Sequence, residues 1–176
     1  MCRSTFSAPI TMRNRRHPKS GEVALRDVID TDLLVFYEHQ LDPEANRLVG
    51  FAPRDAAAFT THWITVRANE TSVNKTILFE GRVAGYIVSF ERFGEREVGY
   101  WLGREFWGKG IATRALQDFL NHLPMRPLCA RVAKHNGASL RVLQKCGFKI
   151  VSEGTFTSAD GEEYEEHVLF LGDEGS

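Results

Sequence analysis

Residues 97–123 run from an apolar stretch, "EVGYWL", through the turn "GREFWGKGIAT", into a segment with apolar residues at helical spacing. That order constrains the fold more than any other feature of the chain. A strand has to end and a helix has to begin within a turn that holds Gly103, Gly108 and Gly110. A helix N-terminus offers unpaired N–H groups and the positive end of its dipole. Small residues at Gly110 and Ala112 let an anion approach that backbone, and Lys109 adds a charge nearby. Two readings stay open on this segment alone: a phosphate cradle, or a tight strand-to-helix connection without a ligand. The turn is not a Walker A loop, because the Gly-Lys-Ser/Thr order is absent. It also lacks the third glycine of the dinucleotide fingerprint.

The rest of the chain alternates strand and helix signals. Glu22–Ile29 alternates apolar and polar residues and predicts a strand. A helix follows over Asp30–Gln40, with Asp30 or Thr31 as its N-cap. Pro43, Gly50 and Pro53 make residues 41–53 a loop or broken helix, and Asp55 caps a helix over Ala56–Asn69. Ser72–Gly81 and Arg82–Gly94 form a hairpin about Glu80–Gly81, and Glu97–Gly103 is the next strand. After the glycine turn, Ile111, Ala115, Leu116, Phe119, Leu120 and Leu123 mark a helix. Arg126–Ala133 is a strand, and Asn136–Phe148 is a helix started by Asn136 or Ser139 and stopped by Gly147. Two strands close the chain, at 148–154 and 163–171. No repeat or linker divides residues 21–172. The pattern predicts one mixed α/β (α+β) domain with a central sheet of about six to seven strands and about four flanking helices. The sheet is expected to be antiparallel in its first half, with strand–helix–strand crossovers in its second.

Composition removes several function classes. The net charge of −1 supplies no basic excess for a nucleic-acid partner. No apolar run is long enough for a membrane span, and no secretory leader is evident, so a cytoplasmic protein is expected. Cys2, Cys129 and Cys146 are scattered, and neither they nor His39, His62, His122, His135 and His167 have metal-ligand spacing. No metal is expected. Residues 1–20, with "MRNRRHPKS", predict a disordered tail, the alternative being a basic arm for an acidic partner, and Met12 is an alternative start.

A second segment bears on the glycine turn. "NGASLRVLQKCGF" places Asn136, Ser139, Leu143, Lys145, Gly147 and Phe148 one strand downstream. Together the two segments resemble the GNAT acyltransferase superfamily over Glu97–Phe148. Gly-Tyr-Trp-Leu before the loop and Asn-x-x-Ser after it are similar to the branch containing ribosomal-protein N-terminal (alanine) acetyltransferases. The resemblance implies acetyl-CoA as cosubstrate. Its pyrophosphate would meet the backbone N–H groups of Trp107, Gly108, Lys109, Gly110, Ile111 and Ala112 and the helix start at Thr113. The pantetheine arm would lie along "GYWL", and the N–H near Leu102 would polarise the thioester carbonyl. Asn136 would bond the pantetheine or a bridging water, and Ser139 would donate to the thiolate; the alternative is that both only cap the helix. The chain departs from the family at Glu105, where Gln or Arg is common. It has Leu143 where many relatives carry a tyrosine acid, and Glu166-His167 where Asp-His is common.

Acyl transfer by direct attack needs a deprotonated amine and a stabilised leaving thiolate, with no enzyme nucleophile. Glu97 is the candidate general base, acting through a water; its alternative is a solvated strand-edge charge. An α-amine (pKa about 8) needs less help than a lysine amine (about 10.4). The expected acceptor is therefore a peptide or protein α-amine. A small amine (antibiotic, polyamine or amino acid) is the second acceptor class, and a non-catalytic acyl-CoA-binding module is the rival from outside enzymology. The resemblance implies that the region from Phe36 to Phe51 walls the acceptor pocket, and a homodimer is left open.

Overall fold

A computed structural model describes residues 20–92, 94–158 and 161–172. The expected tail lies outside the described residues, save Ser20. The elements are β1 (Val23–Asp27), α1 (Asp32–Gln40), α2 (Pro43–Val49), α3 (Ala56–Ala68), β2 (Val73–Phe79), β3 (Arg82–Arg92) and β4 (Glu95–Leu102). A 3-10 turn (Arg104–Phe106) leads to α4 (Ile111–His122), β5 (Leu128–Ala133), α5 (Gly137–Lys145), β6 (Lys149–Thr157) and β7 (Glu163–Leu171). The seven strands form one sheet in the order β1-β2-β3-β4-β5-β7-β6.

Strand alternation sorts the core into two layers. On one face Ile87, Val98, Ala130, Val132 and Leu169 meet Ile111, Ala115, Leu116, Phe119 and Leu120 of α4 and Leu143 of α5. The periodic apolar positions of α4 are the ones buried here. On the other face Phe36 of α1 and Phe59 and Trp63 of α3 pack on Tyr86 and Val88. Each such large side chain removed from water contributes about 1.5–3 kcal/mol.

The pairing of β4 decides where a site can form. It pairs with β3 over its whole length, from Arg92↔Glu95 to Gly85↔Leu102. Its parallel pairing with β5 rests on one register pair, Glu97↔Cys129. Beyond Glu97 the two strands diverge, and the β5-side backbone of residues 98–102 faces a wedge.

Two local expectations needed revision, and the expected crossovers are present. Residues 43–49 are a helix, because Pro43 stands at its first turn, where its missing N–H costs nothing. Asp42 caps it by accepting from the N–H groups of Glu44 and Ala45, and Gly50 ends it at φ 70°. Among the described residues the helices therefore number five, besides the 3-10 turn. Thr31 is the N-cap residue of α1 but makes no side-chain cap bond. Asp32 instead accepts from Ile29 N–H at 3.0 Å. Of the two crossovers in the second half, β4–α4–β5 joins neighbouring strands. The other, β5–α5–β6, leaves a gap that β7 fills antiparallel to both.

Candidate active site

The glycine turn is anchored on both sides. Phe106 is buried in the core, and the Trp107 indole N–H donates to the Leu102 carbonyl at 3.0 Å. Gly103 has no room for a side chain, because a Cβ there would run into the His39 ring. Burial pushes the His39 imidazole below its usual range, against the pull of Glu105 and Glu38, so it packs there as a neutral ring. Gly108 (φ 72°) and Gly110 (φ 70°) adopt the left-handed region, which a glycine enters without strain. A Cβ added at either would meet no atom within 4 Å. Both glycines line an open cleft, which such a Cβ would enter.

That cleft, about 350 Å³, contains Leu102, Trp107, Gly108, Gly110, Ile111, Ala112, Thr113, Asn136 and Ser139 in its lining. Lys109 is the member of the expected set that points elsewhere: its ammonium lies 5.9 Å from the ring centres of both Phe79 and Phe106. The Trp107 N–H is already bonded to the Arg104 carbonyl at 3.1 Å. The N–H groups of Gly108 to Thr113 meet no acceptor among the described residues. They are the free donors at the start of α4, and together with the empty Cβ positions they fit a bound pyrophosphate. Arg141 and Lys145, one turn apart on α5, also line the cleft. Sequence reasoning named Lys145 only as part of the downstream segment and missed Arg141, although their i, i+4 spacing puts them on one helix face.

Leu102 stands at the inner end of the cleft. The N–H of Gly103 donates to the Ala84 carbonyl across β3. Strand alternation therefore turns the Leu102 N–H the other way, into the wedge. The Leu102 carbonyl on that side is taken by Trp107, which leaves the N–H as the available group.

A second cavity, about 540 Å³, adjoins the first. Val49, Tyr100, Asn136 and Ser139 line both. Asn136 caps α5: its Oδ1 accepts from the Ser139 N–H at 3.1 Å. The cap thus exists, and the same two side chains also face the cavities. Ser139 Oγ lies 3.0 Å from the Tyr100 hydroxyl, a partner that sequence reasoning missed. Leu143, at the position of the relatives' tyrosine, is buried in the core.

Glu97 lines the second cavity and is 5% exposed, so it is not a solvated edge charge. Arg131 donates to it at 2.9 Å, and the Arg92 guanidinium lies 3.7 Å from its other oxygen. Arg131 also reaches Glu166 at 3.1 Å and Glu95 at 3.4 Å. Glu95, Glu97 and Cys129 bring ligand-type atoms within 4.8 Å of one another, but the Arg131 guanidinium sits against both carboxylates. Burial, then the charges of Glu97 and Glu95, push the Cys129 thiol up to about 12, so it stays protonated. Of the stretch expected to wall the acceptor pocket, Phe36 is in the core, whereas Val49 and Phe51, the latter stacked on Phe156 of β6 at 5.6 Å, line the second cavity.

Among the described residues no helix is long and apolar enough to cross a membrane. The acetyltransferase (GNAT) domain family matches residues 22–149. A curated Bacillus licheniformis protein, uncharacterized N-acetyltransferase p20, is 32% identical over 69 residues, 37% of this chain and 39% of its own length. Spermidine N-acetyltransferase from Vibrio cholerae, solved with CoA and spermine, superposes with a TM-score of 0.74 at 14% identity, over 85% of this chain and 94% of that one. Mycobacterium smegmatis RimJ, solved with CoA-disulfide, gives 0.72 at 21% identity, over 88% and 83%. At these identities the two solved structures speak to the fold, while the family match spans most of the domain, including the wedge and the glycine turn. The chain belongs to the GNAT acetyltransferase family.

Proposed function

We propose that the protein is an acetyl-CoA-dependent N-acetyltransferase whose favoured acceptor is a peptide or protein N-terminal α-amine. The observation that carries this reading is the shared wall of Tyr100, Asn136 and Ser139. It joins a cleft ending in free N–H groups to a cavity floored by carboxylates. Acetyl-CoA supplies an activated acyl group as a thioester. The N–H groups of Gly108 to Thr113, with Arg141 and Lys145, would hold its phosphates. The Leu102 N–H would receive the charge that develops on the carbonyl oxygen.

Glu97, through a water, takes the proton from the amine. Of the charged residues that line the cavity, Glu97 and Glu166 face Arg131 and Arg92, so the charges there are balanced and paired. Ser139 faces the departing sulfur. A cytoplasmic setting suits a user of acetyl-CoA. A small amine acceptor is the second reading, since the same cavity beside Glu97 is open to it.

Thiol release from acetyl-CoA across peptides with different first residues, aminoglycosides, polyamines and free amino acids tests the acceptor. Selective turnover of peptides is expected, and turnover confined to small amines would sink the α-amine assignment. Glu97→Gln should lower turnover by about a hundredfold or more while acetyl-CoA binding persists. An unchanged rate would remove Glu97 as the base.

A further inference from the structure

Tyr100 stands on the wall between the two cavities, with its hydroxyl 3.0 Å from Ser139 Oγ. Among the described residues Ser139 is the hydrogen-bond partner of that phenol. We infer that Tyr100 is a positioning residue: its hydroxyl donates to Ser139 Oγ and so aims the Ser139 hydrogen at the leaving sulfur. The inference rests on the acetyl-transfer reading and adds to it the group that orients the thiolate donor.

The direction of the bond follows from the chemistry of the two hydroxyls. A phenol is the stronger donor, and an alcohol oxygen is the stronger acceptor, because the ring withdraws the phenol's lone pair. Ser139 Oγ then accepts from Tyr100 and keeps its own hydrogen for the cavity. Accepting one hydrogen bond polarises the hydroxyl and strengthens the one it donates. Burial pushes the Tyr100 phenol up to about 12, against the opposing pull of Ser139, so it keeps its hydrogen at all physiological pH. The backbone supports the same arrangement. Ser139 lies in the first turn of α5, where the dipole favours a developing negative charge, and Asn136 holds its N–H. No proton has to leave Ser139, since a donated hydrogen bond is enough to stabilise a thiolate.

The test uses the full chain, with CoA as the probe. Calorimetry first measures CoA binding to the wild type, Tyr100→Phe, Ser139→Ala and the double variant. The absorbance of the thiolate then gives the titration of the bound thiol in each. The thiol should titrate lowest on the wild type and higher on Tyr100→Phe, and Tyr100→Phe should add nothing further once Ser139 is alanine. In turnover, Tyr100→Phe should lower kcat on the order of three- to tenfold, with the KM for acetyl-CoA within about twofold. The double variant should be no slower than Ser139→Ala. Bound CoA whose thiol titrates alike on the wild type and Tyr100→Phe would overturn the inference and leave acetyl transfer standing. Losses that multiply in the double variant would also overturn it. Failure of the wild type to bind CoA would overturn the acetyl-transfer reading, and the inference with it.

Discussion

Gly85 and Gly110 are glycines for opposite reasons. A Cβ at Gly85 would run into the Trp101 carbonyl oxygen on the neighbouring strand, so the β3–β4 pairing excludes any side chain. Gly85→Ala should destabilise the protein on the order of 3 kcal/mol, read as a lower urea midpoint. At Gly110 space is free, but φ is 70° and the added Cβ would enter the cleft. Gly110→Val should cost about 1–3 kcal/mol of stability through backbone strain. It should also abolish acetyl-CoA binding, measured by calorimetry on the folded variant, and normal affinity there would misplace the pyrophosphate. Residues of this kind were unevenly legible. Gly108, Gly110, Asn136 and Ser139 stood out because each lies within a few residues of the helix end it serves. Tyr100 and Glu166 were named only as parts of a family pattern, with no partners, and Arg131 was not named. Their partners are 34 to 39 residues away, brought together by strand register rather than spacing. Alternation along "VGYWL" put Tyr100 on one face with Val98 and Leu102, but only the divergence of β4 from β5 makes that face a site.

At the scale of elements, α1 and α2 show how a cap can mislead. Residue types predicted a cap for α1 at Asp30 or Thr31, yet the group that matters is Asp32, 1% exposed. Its carboxylate takes both terminal nitrogens of Arg26, the Thr76 hydroxyl at 2.6 Å and the Ile29 N–H. Burial by itself would raise this carboxyl. The bonds from Arg26, Thr76 and Ile29 outweigh burial and hold it below its usual range. A folded pKa below the unfolded one stabilises the protein above about pH 4, the unfolded value, and that gain is lost as pH falls through the folded value. Asp32→Asn should therefore lose on the order of 3 kcal/mol at pH 7, where it leaves Arg26 without its partner. It should also lack this part of the acid dependence in urea unfolding between about pH 5 and pH 2. For α2, proline and glycine looked like breaks in the sequence, but they bound a helix whose Ala45, Leu48 and Val49 line the cleft beside the glycine turn. Asp42→Ala should cost about 1 kcal/mol as a lost cap.

For the whole molecule, the order of elements was legible from strand alternation, from the helical period of α4 and α5, and from the capping residues and breakers around α1 and α3. The insertion of β7 between β5 and β6 was not, since nothing local specifies which strands become neighbours. The same non-local ordering sets where the domain begins. Its start is held at Gly21, whose N–H donates to Glu80 at 2.7 Å and whose carbonyl accepts from Arg114 of α4 at 2.5 Å. β1 then pairs with β2 from Val23↔Phe79 to Asp27↔Lys75, and Val23 and Leu25 pack against the α4-side core. Both cavities are lined by residues 45–166. We therefore propose that the domain spans residues 21–172. Replacing residues 1–20 by a single methionine should change stability by less than about 0.5 kcal/mol, a Tm shift under about 2 °C. Acetyl-CoA affinity should stay the same. Extending the deletion through Asp27 removes β1 together with the Gly21 anchors and bares the β2 edge and the side of α4. That longer deletion should lose cooperative unfolding, measured by scanning calorimetry. A shorter deletion that unfolds the protein would move the boundary into the first twenty residues, and a longer deletion that still melts cooperatively would show that β1 is dispensable.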